Sequence, residues 1–173
     1  MIAHVTERLA PQVSDLAINA PPDFSGHMGL PLVPDVLAGH QGPLAGILSG
    51  LRHFAGSASH LRMASAPADG PFLPTDLVTR LASACPDEAT IAVASSRGHM
   101  HPVYALWPLS LADDLEAWLA DPDNRRIKAF LSRHPVAIVE FDLETTMNGD
   151  RDPFFNINTP EDLSRAEQFL DGS

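Results

Sequence analysis

The 173-residue sequence lacks features that several classes of protein need. It has one cysteine, Cys85, which excludes a disulfide framework and is typical of proteins from a reducing compartment. It contains no apolar run long enough to cross a membrane, and its first residues show no signal-peptide pattern. The sequence therefore predicts a cytoplasmic protein with no membrane partner.

Positive charge is also scarce. Eleven Lys and Arg residues stand against 22 Asp and Glu residues, which gives a formal net charge of −11 at pH 7. Such a surface disfavours nucleic acid and does not attract anionic substrates by its overall field. The sequence predicts no nucleic-acid partner, and any phosphate site must be built locally from backbone amides, a metal ion and a few basic side chains.

The rest of the composition is that of a folded domain, with 45% hydrophobic and 19% charged residues. Segments with helical spacing of apolar residues alternate with short β-type runs. We therefore expect an α/β fold, a three-layer sandwich with a mostly parallel sheet that binds ligands at the carboxyl ends of its strands. The predicted strands are 16–19, 32–33, 60–65, 90–94, 103–107 and 136–141. The predicted helices are 2–11, 43–51, 75–84, 109–119, 124–134 and 160–170.

A Gly-rich phosphate loop is missing from the sequence. Nucleotide-binding domains of this class normally begin with a strand and a Gly-rich turn, whose backbone N–H groups bind phosphates at a helix N-terminus. Here the first helical pattern already begins at Ile2. Gly46 and Gly50 fall within a predicted helix, and Gly26 and Gly29 lie in a loop that no helix follows. Either the function needs no such loop, or the sequence lacks its own beginning.

Polar residues stand where predicted strands end. Asp69 follows strand 60–65, and a carboxylate there, flanked by Pro and Gly, suits a Mg²⁺ ion bound by carboxylates and substrate phosphates. An Asp-Gly turn that leads into a helix explains the same residues. Asn19 and Asp35 also end extended segments, and an ordinary turn explains each of them.

The C-terminal segment begins a helix and carries two asparagines. Thr159 fits the N-cap and Pro160 the first helical position. In an extended segment Asn156 and Asn158 point to the same side, so two neutral donor-acceptor groups would lie together at the edge of the sheet where ligands bind. The alternative is a capping loop that satisfies its own polar groups.

The histidines and serines give weaker signals. His99 and His101 form a His-x-His pair, but without a third ligand nearby this pattern predicts a structural or surface role rather than a zinc site. Ser95 and Ser96 lack the Gly-x-Ser-x-Gly setting, so a hydrolase triad has little support.

Six segments, taken together in their order, resemble one family. Their order and spacing are similar to those of the molybdenum cofactor guanylyltransferases, the MobA family, over nearly the whole chain. The resemblance implies a fold of the nucleotide-diphospho-sugar transferase type, which is Rossmann-like. It also implies transfer of GMP from GTP to molybdopterin, which gives the guanine dinucleotide form of the cofactor and pyrophosphate. The segments are Leu16–Ala20, Val33–Asp35, Gly42–Gly46, Ala66–Pro74, His101–Val103 and Phe155–Leu163.

The resemblance assigns roles to the candidate residues. It implies that Asn19 and Asp35 contact the guanine nucleotide, that Asp69 is catalytic and holds Mg²⁺ and the GTP phosphates, and that Asn156 and Asn158 line the molybdopterin side. It further implies transient contact with molybdenum cofactor biosynthesis or acceptor proteins. Two alternatives stay open: a catalytically silent remnant or cofactor-binding module of this fold, and a related nucleotidyltransferase that uses CTP or a sugar phosphate.

The sequence departs from this family at its start. The family's Gly-rich loop, with a lysine shortly after it, lies ahead of the segment that here begins at Met1. We therefore expect residues 1–173 to form a single nucleotidyltransferase-like domain that is incomplete at its N-terminus. In folds of this type the first strand lies in the middle of the sheet, so strands 16–19 and 60–65 are expected to have unpaired edges that face each other. Such edges favour low stability or aggregation.

Overall fold

The computed structural model describes residues 1–37, 42–56 and 60–171. No helix in these ranges is long and apolar enough to cross a membrane. The helices are α1 (Ile2–Leu9), α2 (Pro43–Ala55), α3 (Leu77–Ser83), α4 (Ala112–Leu119), α5 (Ile127–Leu131) and α6 (Pro160–Asp171). The strands are β1 (Ile18–Asn19), β2 (Leu32–Val33), β3 (Arg62–Ser65), β4 (Ile91–Ser96), β5 (His99–Pro108), β6 (Val136–Glu140), β7 (Glu144–Thr146) and β8 (Gly149–Arg151).

A four-stranded sheet in the order β3-β5-β4-β6 forms the centre of the fold. Strand β4 runs parallel to β6, and β5 runs antiparallel to both β3 and β4. Three of the four strands therefore share one direction, and the expected α/β class with a mostly parallel sheet is confirmed.

The exception, β5, follows β4 through a tight turn. Arg97 and Gly98 both have positive φ, 50° and 72°, which matches the turns that join the strands of two-residue hairpins. Such a turn can only reverse the chain, so β5 must pair antiparallel with β4. The sequence pattern placed the start of this strand at residue 103 instead of His99, and it missed the hairpin.

Helices cover both faces of the sheet because its strands are apolar on both sides. Ile91 and Val93 pack with α2, α4 and α5, whereas Ala92 and Ala94 pack with α1, α3 and the chain after β6. This alternation follows from the period of two along a strand. The expected three layers are therefore present.

Strands β1 and β2 form a separate parallel pair. In the described ranges β1 pairs with β2 alone, and β3, at the edge of the larger sheet, pairs with β5 alone. The edges of β1 and β3 border the same cavity, of about 900 Å³.

The C-terminal region begins with a hairpin that the sequence pattern did not predict, formed by β7 and β8. It ends in β8 with the buried Arg151, whose guanidinium lies 4.3 Å from the centroid of the Phe72 ring and bonds to Glu144. Helix α6 then begins at Pro160, as expected. Thr159 Oγ1 accepts from Asp162 N–H at 3.1 Å, and an Asp162 carboxylate oxygen accepts from Thr159 N–H at 3.0 Å. The two residues form a reciprocal cap.

Candidate functional site

The first group of predicted site residues lies where the parallel strands β1 and β2 end. Asn19 Nδ2 donates to Asp35 Oδ1 and to the Val33 carbonyl, each at 2.9 Å. Asn19 Oδ1 lies so close to Gly46 of α2 that a Cβ there would come within 2.4 Å of it. The Asn19 amide is therefore fixed between β2 and α2, and it orients the Asp35 carboxylate at this end of the cavity.

The second group lies beyond β3, where the chain segments around Asp69 and Asn156 meet. The Asp69 carbonyl accepts from Ile157 N–H at 2.9 Å, which ties these two segments together. Asp69 Oδ1 is buried, and no described residue gives it a hydrogen bond. A buried polar atom without a partner costs free energy, so this oxygen is suited to a bound cation or donor.

Tyr104 of β5 lies between the two segments. Its hydroxyl donates to Asn156 Oδ1 at 3.1 Å. Burial, assisted by the Asp69 and Asp152 carboxylates, raises the pKa of Tyr104 well above its usual range. The phenol therefore stays protonated and serves as a permanent donor that fixes the orientation of Asn156. Sequence reasoning missed Tyr104, because an aromatic residue in a strand is ordinarily a core residue.

Gly70 is the residue that lets these groups approach each other. A Cβ at Gly70 would lie 1.6 Å from the Tyr104 hydroxyl oxygen and 3.0 Å from Asn156 Oδ1. The hydroxyl sits on a rigid, buried ring, so a small movement cannot relieve this overlap. The requirement for glycine at this position is steric.

We expect Gly70→Ala to lower the free energy of unfolding by about 1–3 kcal/mol, because overpacking forces side chains and backbone apart. Denaturant unfolding measures this change. Gly56→Ala is a matched control, since among the described residues its Cβ would meet nothing closer than the His53 carbonyl at 3.9 Å. Equal stability of the two variants would contradict the close approach of Tyr104.

A third polar group, formed by Ser96, His101 and Asp152, lies beside Tyr104. Ser96 Oγ lies 2.8 Å from His101 Nε2 and donates to the Asp152 carboxylate, at 2.8 and 2.9 Å from its two oxygens. Asp152 also accepts from Phe154 N–H at 2.9 Å. Burial lowers the pKa of His101, although the nearby Asp152 opposes this shift. His101 is thus part of a partly buried polar network, and the order of its contacts is not that of a hydrolase triad.

The two asparagines of the C-terminal segment occupy different environments. Asn156 is half-buried beside the Asp69 segment, whereas Asn158 is exposed at the start of α6. Asn158 N–H donates to an Asp162 carboxylate oxygen at 3.1 Å, and Thr159 supplies the cap itself. The structure therefore brings the segment of Asn156 together with that of Asp69, and Asn19 together with Asp35. It places Asn158 on the exposed surface at the start of α6.

The 900 Å³ cavity is lined by residues of the first predicted group. Its lining includes Asn19 and Asp35 at one end and runs along β3 to Ala66, Pro67 and Ala68, next to Asp69. The second group lies beyond this lining, on the segment that follows Ala68.

The sequence matches the model of the MobA-like NTP transferase domain over residues 1–138. The chain belongs to this family. A molybdenum cofactor guanylyltransferase of Rhizobium meliloti (strain 1021) is 50% identical over 175 residues, which cover 98% of this chain and 79% of the relative. One from Rhodopseudomonas palustris (strain BisB5) is 49% identical over 97% of this chain and 80% of its own length.

Solved structures support the same fold. Molybdopterin-guanine dinucleotide biosynthesis protein A from Archaeoglobus fulgidus superposes with a TM-score of 0.59 and 25% identity, over 98% of this chain and 75% of that one. A protein from Aquifex aeolicus VF5 gives a TM-score of 0.71 at 19% identity, over 91% of this chain and 78% of that one, and this similarity concerns the fold alone. The expected nucleotidyltransferase type of fold is confirmed.

Proposed function

We propose that this chain transfers GMP from GTP to molybdopterin and forms the guanine dinucleotide cofactor and pyrophosphate. Its relatives of 43–50% identity carry the name molybdenum cofactor guanylyltransferase, which supports the activity. The observation that supports a transfer site in this chain's own residues is the buried Asp69 Oδ1, which has no hydrogen-bond partner in the described ranges and lies in a segment tied to that of Asn156.

The reaction leaves little covalent chemistry for the protein. An oxygen of the molybdopterin phosphate attacks the α-phosphorus of GTP, and a new P–O bond forms as the bond to the bridging oxygen of pyrophosphate breaks. Phosphoryl transfers of this kind depend on in-line positioning and on stabilisation of charge. The site therefore has to hold the two substrates and offset their negative charge.

In this proposal Asn19 and Asp35 hold the nucleotide. The Asp35 carboxylate is oriented by the Asn19 amide, and a fixed carboxylate is a good acceptor for the N–H donors of a guanine base. Gly46 keeps the start of α2 open enough for the Asn19 side chain. Cytosine offers fewer donors on its pairing edge, so this arrangement favours GTP over CTP.

The residues fit Mg²⁺ at Asp69. Mg²⁺ prefers oxygen ligands and is commonly bound by one or two carboxylates together with substrate phosphates. Asp69 Oδ1 offers one buried carboxylate oxygen for which the described residues provide no competing donor. When bound there, Mg²⁺ supplies neutralisation of phosphate charge. None of the side chains assigned here to either substrate is cationic, which makes such neutralisation necessary.

Asn156 and Asn158 form the molybdopterin side of the site in this proposal. The Tyr104 hydroxyl occupies Asn156 Oδ1, so the NH₂ group of this amide is the end that donates to the substrate. Asn158 is exposed at the start of α6, where it can contact the part of molybdopterin that lies outside the cavity. The reaction takes place in the cytoplasm, with transient contacts to proteins that supply or receive the cofactor.

The direct test is incubation of the chain with α-³²P-labelled GTP, molybdopterin and Mg²⁺. We expect the label in the dinucleotide cofactor, with one unlabelled pyrophosphate released for each cofactor formed. A faster reaction with labelled CTP would replace this proposal by a related nucleotidyltransferase. Binding of molybdopterin without any product from either nucleotide would instead support a cofactor-binding module.

Asn158→Ala and Thr159→Ala separate substrate contact from helix capping. We expect Asn158→Ala to raise the KM for molybdopterin more than the KM for GTP and to leave the melting temperature nearly unchanged, because only the backbone of Asn158 takes part in the cap. Thr159→Ala should cost about 1 kcal/mol of stability. Steady-state kinetics and thermal unfolding measure both effects. A stability loss of similar size in the two variants, without a KM change, would reduce Asn158 to a capping residue.

A further inference from the structure

A β-bulge in the hairpin of β4 and β5 places His101 beside Tyr104. The register of the two strands shifts between Val93, which pairs with Ala105, and Ala94, which pairs with His101. Residues 101 and 104 are three positions apart, so a regular strand would direct their side chains to opposite faces. The bulge brings both to one face, where the two ring centroids lie 6.3 Å apart and the rings meet edge to face. Bulges next to active sites commonly re-aim a side chain in this way.

The contacts of Ser96 determine which nitrogen of His101 carries a hydrogen. Ser96 Oγ lies 2.8 Å from His101 Nε2, and 2.8 and 2.9 Å from the two oxygens of the Asp152 carboxylate. A hydroxyl group has one hydrogen and a carboxylate only accepts, so the Ser96 hydrogen is donated to Asp152. Ser96 Oγ must then accept from His101, and Nε2 carries a hydrogen. In a neutral imidazole the other nitrogen, Nδ1, is therefore an acceptor.

This acceptor is held in place and is available to a ligand. Ser96 is 1% exposed, so the Nε2 end of the ring is anchored in the interior, and the ring packs on Phe154 at a centroid distance of 4.8 Å. His101 itself is partly exposed, and none of the described residues donates a hydrogen bond to its Nδ1. Burial lowers the pKa of His101, although Asp152 opposes this shift, so the ring is neutral above pH 7.

Asn156 supplies a donor in the same neighbourhood. Tyr104 contacts both residues, because its ring meets that of His101 and its hydroxyl donates to Asn156 Oδ1. This bond leaves the NH₂ group of Asn156 as the end that donates to a ligand. Phe154, which packs on His101, stands two residues before Asn156 in the chain. This face of the fold therefore presents an oriented amide donor and an oriented imidazole acceptor around Tyr104.

A donor and an acceptor of this kind select the chemical class of the ligand. They pair with a heterocycle that has a carbonyl oxygen and an N–H group on neighbouring ring atoms, and the pterin ring of molybdopterin has such an edge. A phosphate group offers oxygen acceptors only, so a neutral imidazole acceptor would not bind it. Guanine has the same kind of edge as pterin, but Asn19 and Asp35 are assigned to it at the other group of residues.

We propose that His101 binds the pterin ring of molybdopterin, with Nδ1 accepting a ring N–H while the Asn156 amide donates to the neighbouring carbonyl. The inference rests on the proposed function, because it takes molybdopterin as the acceptor substrate. Ser96 and Asp152 are positioning residues, since they act on the substrate through the tautomer of His101. The contact lies on the pterin and not on the reacting phosphate, so it contributes to the KM for molybdopterin and little to kcat.

His101→Gln and His101→Asn separate the two ring nitrogens. The Gln amide reaches the position of Nε2 and still donates to Ser96, but nothing replaces Nδ1, whereas the Asn amide replaces Nδ1 and loses Ser96. Both variants lose the ring, so the difference between them reports the nitrogens alone. We expect the Gln variant to bind molybdopterin about tenfold more weakly than the Asn variant, the scale of one hydrogen bond. The Asn variant should melt about 2–4 °C below the Gln variant.

Calorimetry with molybdopterin under anaerobic conditions and without GTP measures the first effect, and thermal unfolding measures the second. His99→Gln is the matched control, since it makes the same change at an exposed histidine two positions earlier in β5. Its affinity for molybdopterin should stay within about twofold of that of the original chain. GTP binding, measured separately, should be equal in all three variants.

Equal molybdopterin affinity of the Gln and Asn variants would overturn the proposal, and so would weaker binding in the Asn variant, which would reduce His101 to a structural partner of Ser96. A Gln variant that loses affinity for GTP instead would assign His101 to guanine. Failure of the proposed function looks different, because binding is measured without turnover. Molybdopterin binding that depends on Nδ1 but yields no product would keep the contact and remove the transfer, whereas transfer with an unchanged KM in the Gln variant would do the reverse. An original chain that binds no molybdopterin would overturn both.

Discussion

Asp69→Asn is expected to reduce guanylyl transfer at least ~100-fold, the usual scale for loss of a group that stabilises charge in the transition state. The substitution removes an anionic ligand from the buried position of Oδ1 and replaces it with a neutral amide that binds Mg²⁺ poorly. The backbone carbonyl of residue 69 still accepts from Ile157 N–H, so the two segments stay joined. We expect the variant to be at least as stable as the original chain, because a neutral amide costs less to bury without a partner than a carboxylate does.

The measurement pairs kcat/KM with the Mg²⁺ dependence of GTP binding, followed by calorimetry. Asp76→Asn is the matched control, since it removes the same charge from an exposed position that gives α3 no side-chain cap. The control should stay within about twofold of the original chain. Equal Mg²⁺-dependent GTP affinity with and without the Asp69 carboxylate would remove the metal assignment and leave the fold unaffected.

Much of the fold was predictable because its signals are local. Helix α2 combines Pro43 at its first turn with an apolar face that the structure buries at Leu44, Ile47, Leu48 and Leu51. Spacing alone predicts such a face, because helical packing follows the 3.6-residue period. Strand β4 is buried on both faces, and a short apolar run bounded by turn residues indicates this kind of strand.

The errors in the fold concern elements that tertiary contacts define. The first half of β5 contains polar residues such as His99 and His101, so a hydrophobic pattern cannot recognise it as a strand. It forms because the turn at Arg97 and Gly98 returns the chain along β4. The β7 and β8 hairpin is also polar, so a hydrophobic pattern does not recognise it either. Arg151 of β8 packs on Phe72, which is a contact between distant parts of the chain.

The candidate site also contains residues that the sequence predicted and one that it did not. Asp69 and Asn156 were predicted at one edge of the sheet because ligand groups gather beyond strand ends, and the bond between Ile157 N–H and the Asp69 carbonyl places their segments together. Tyr104 was missed, because its role depends on a hydrogen bond to a residue 52 positions away. Long-range side-chain pairs of this kind leave no spacing signal in a single sequence.

Negative charge lies close to Tyr104 and also predominates over the chain as a whole. Asp69 and Asp152 both disfavour ionisation of Tyr104, so both carboxylates act on the same hydroxyl group. The chain as a whole carries a net charge of −11, and its long-range field therefore opposes the approach of GTP. Added salt screens such a field. Under the proposed function, binding depends on short-range contacts and on Mg²⁺ rather than on electrostatic steering.

The partly buried network around Asp152 carries the other large expected effect. Asp152 accepts from Ser96 Oγ and from Phe154 N–H, and Ser96 is 1% exposed. The carboxylate thus connects the end of β4 with the segment that leads to Asn156. Hydrogen bonds to charged groups contribute about 1.5–3 kcal/mol each, and a partner left unsatisfied in the interior adds to the cost of removing one.

Asp152→Ala is therefore expected to lower the free energy of unfolding by about 2–4 kcal/mol. It should also raise the KM for molybdopterin more than the KM for GTP, because the loosened segment positions Asn156 and not Asn19. Asp152→Asn should recover part of the stability, since its amide oxygen still accepts from Phe154 N–H. Denaturant unfolding gives the first effect, and kinetics well below the melting temperature give the second.

Asp150→Ala tests whether loss of any nearby carboxylate has this effect. Within the described part of the chain, the Asp150 side chain accepts a single, exposed hydrogen bond, from Thr145 Oγ1 at 3.2 Å, so its removal should change stability by no more than about 0.5 kcal/mol. Ser96→Ala combined with Asp152→Ala should cost less than the sum of the single changes, because both remove the same contact. Additive costs would mean that the two side chains act independently. An unchanged KM for molybdopterin in Asp152→Ala would mean that the network stabilises the fold without positioning the segment that carries Asn156.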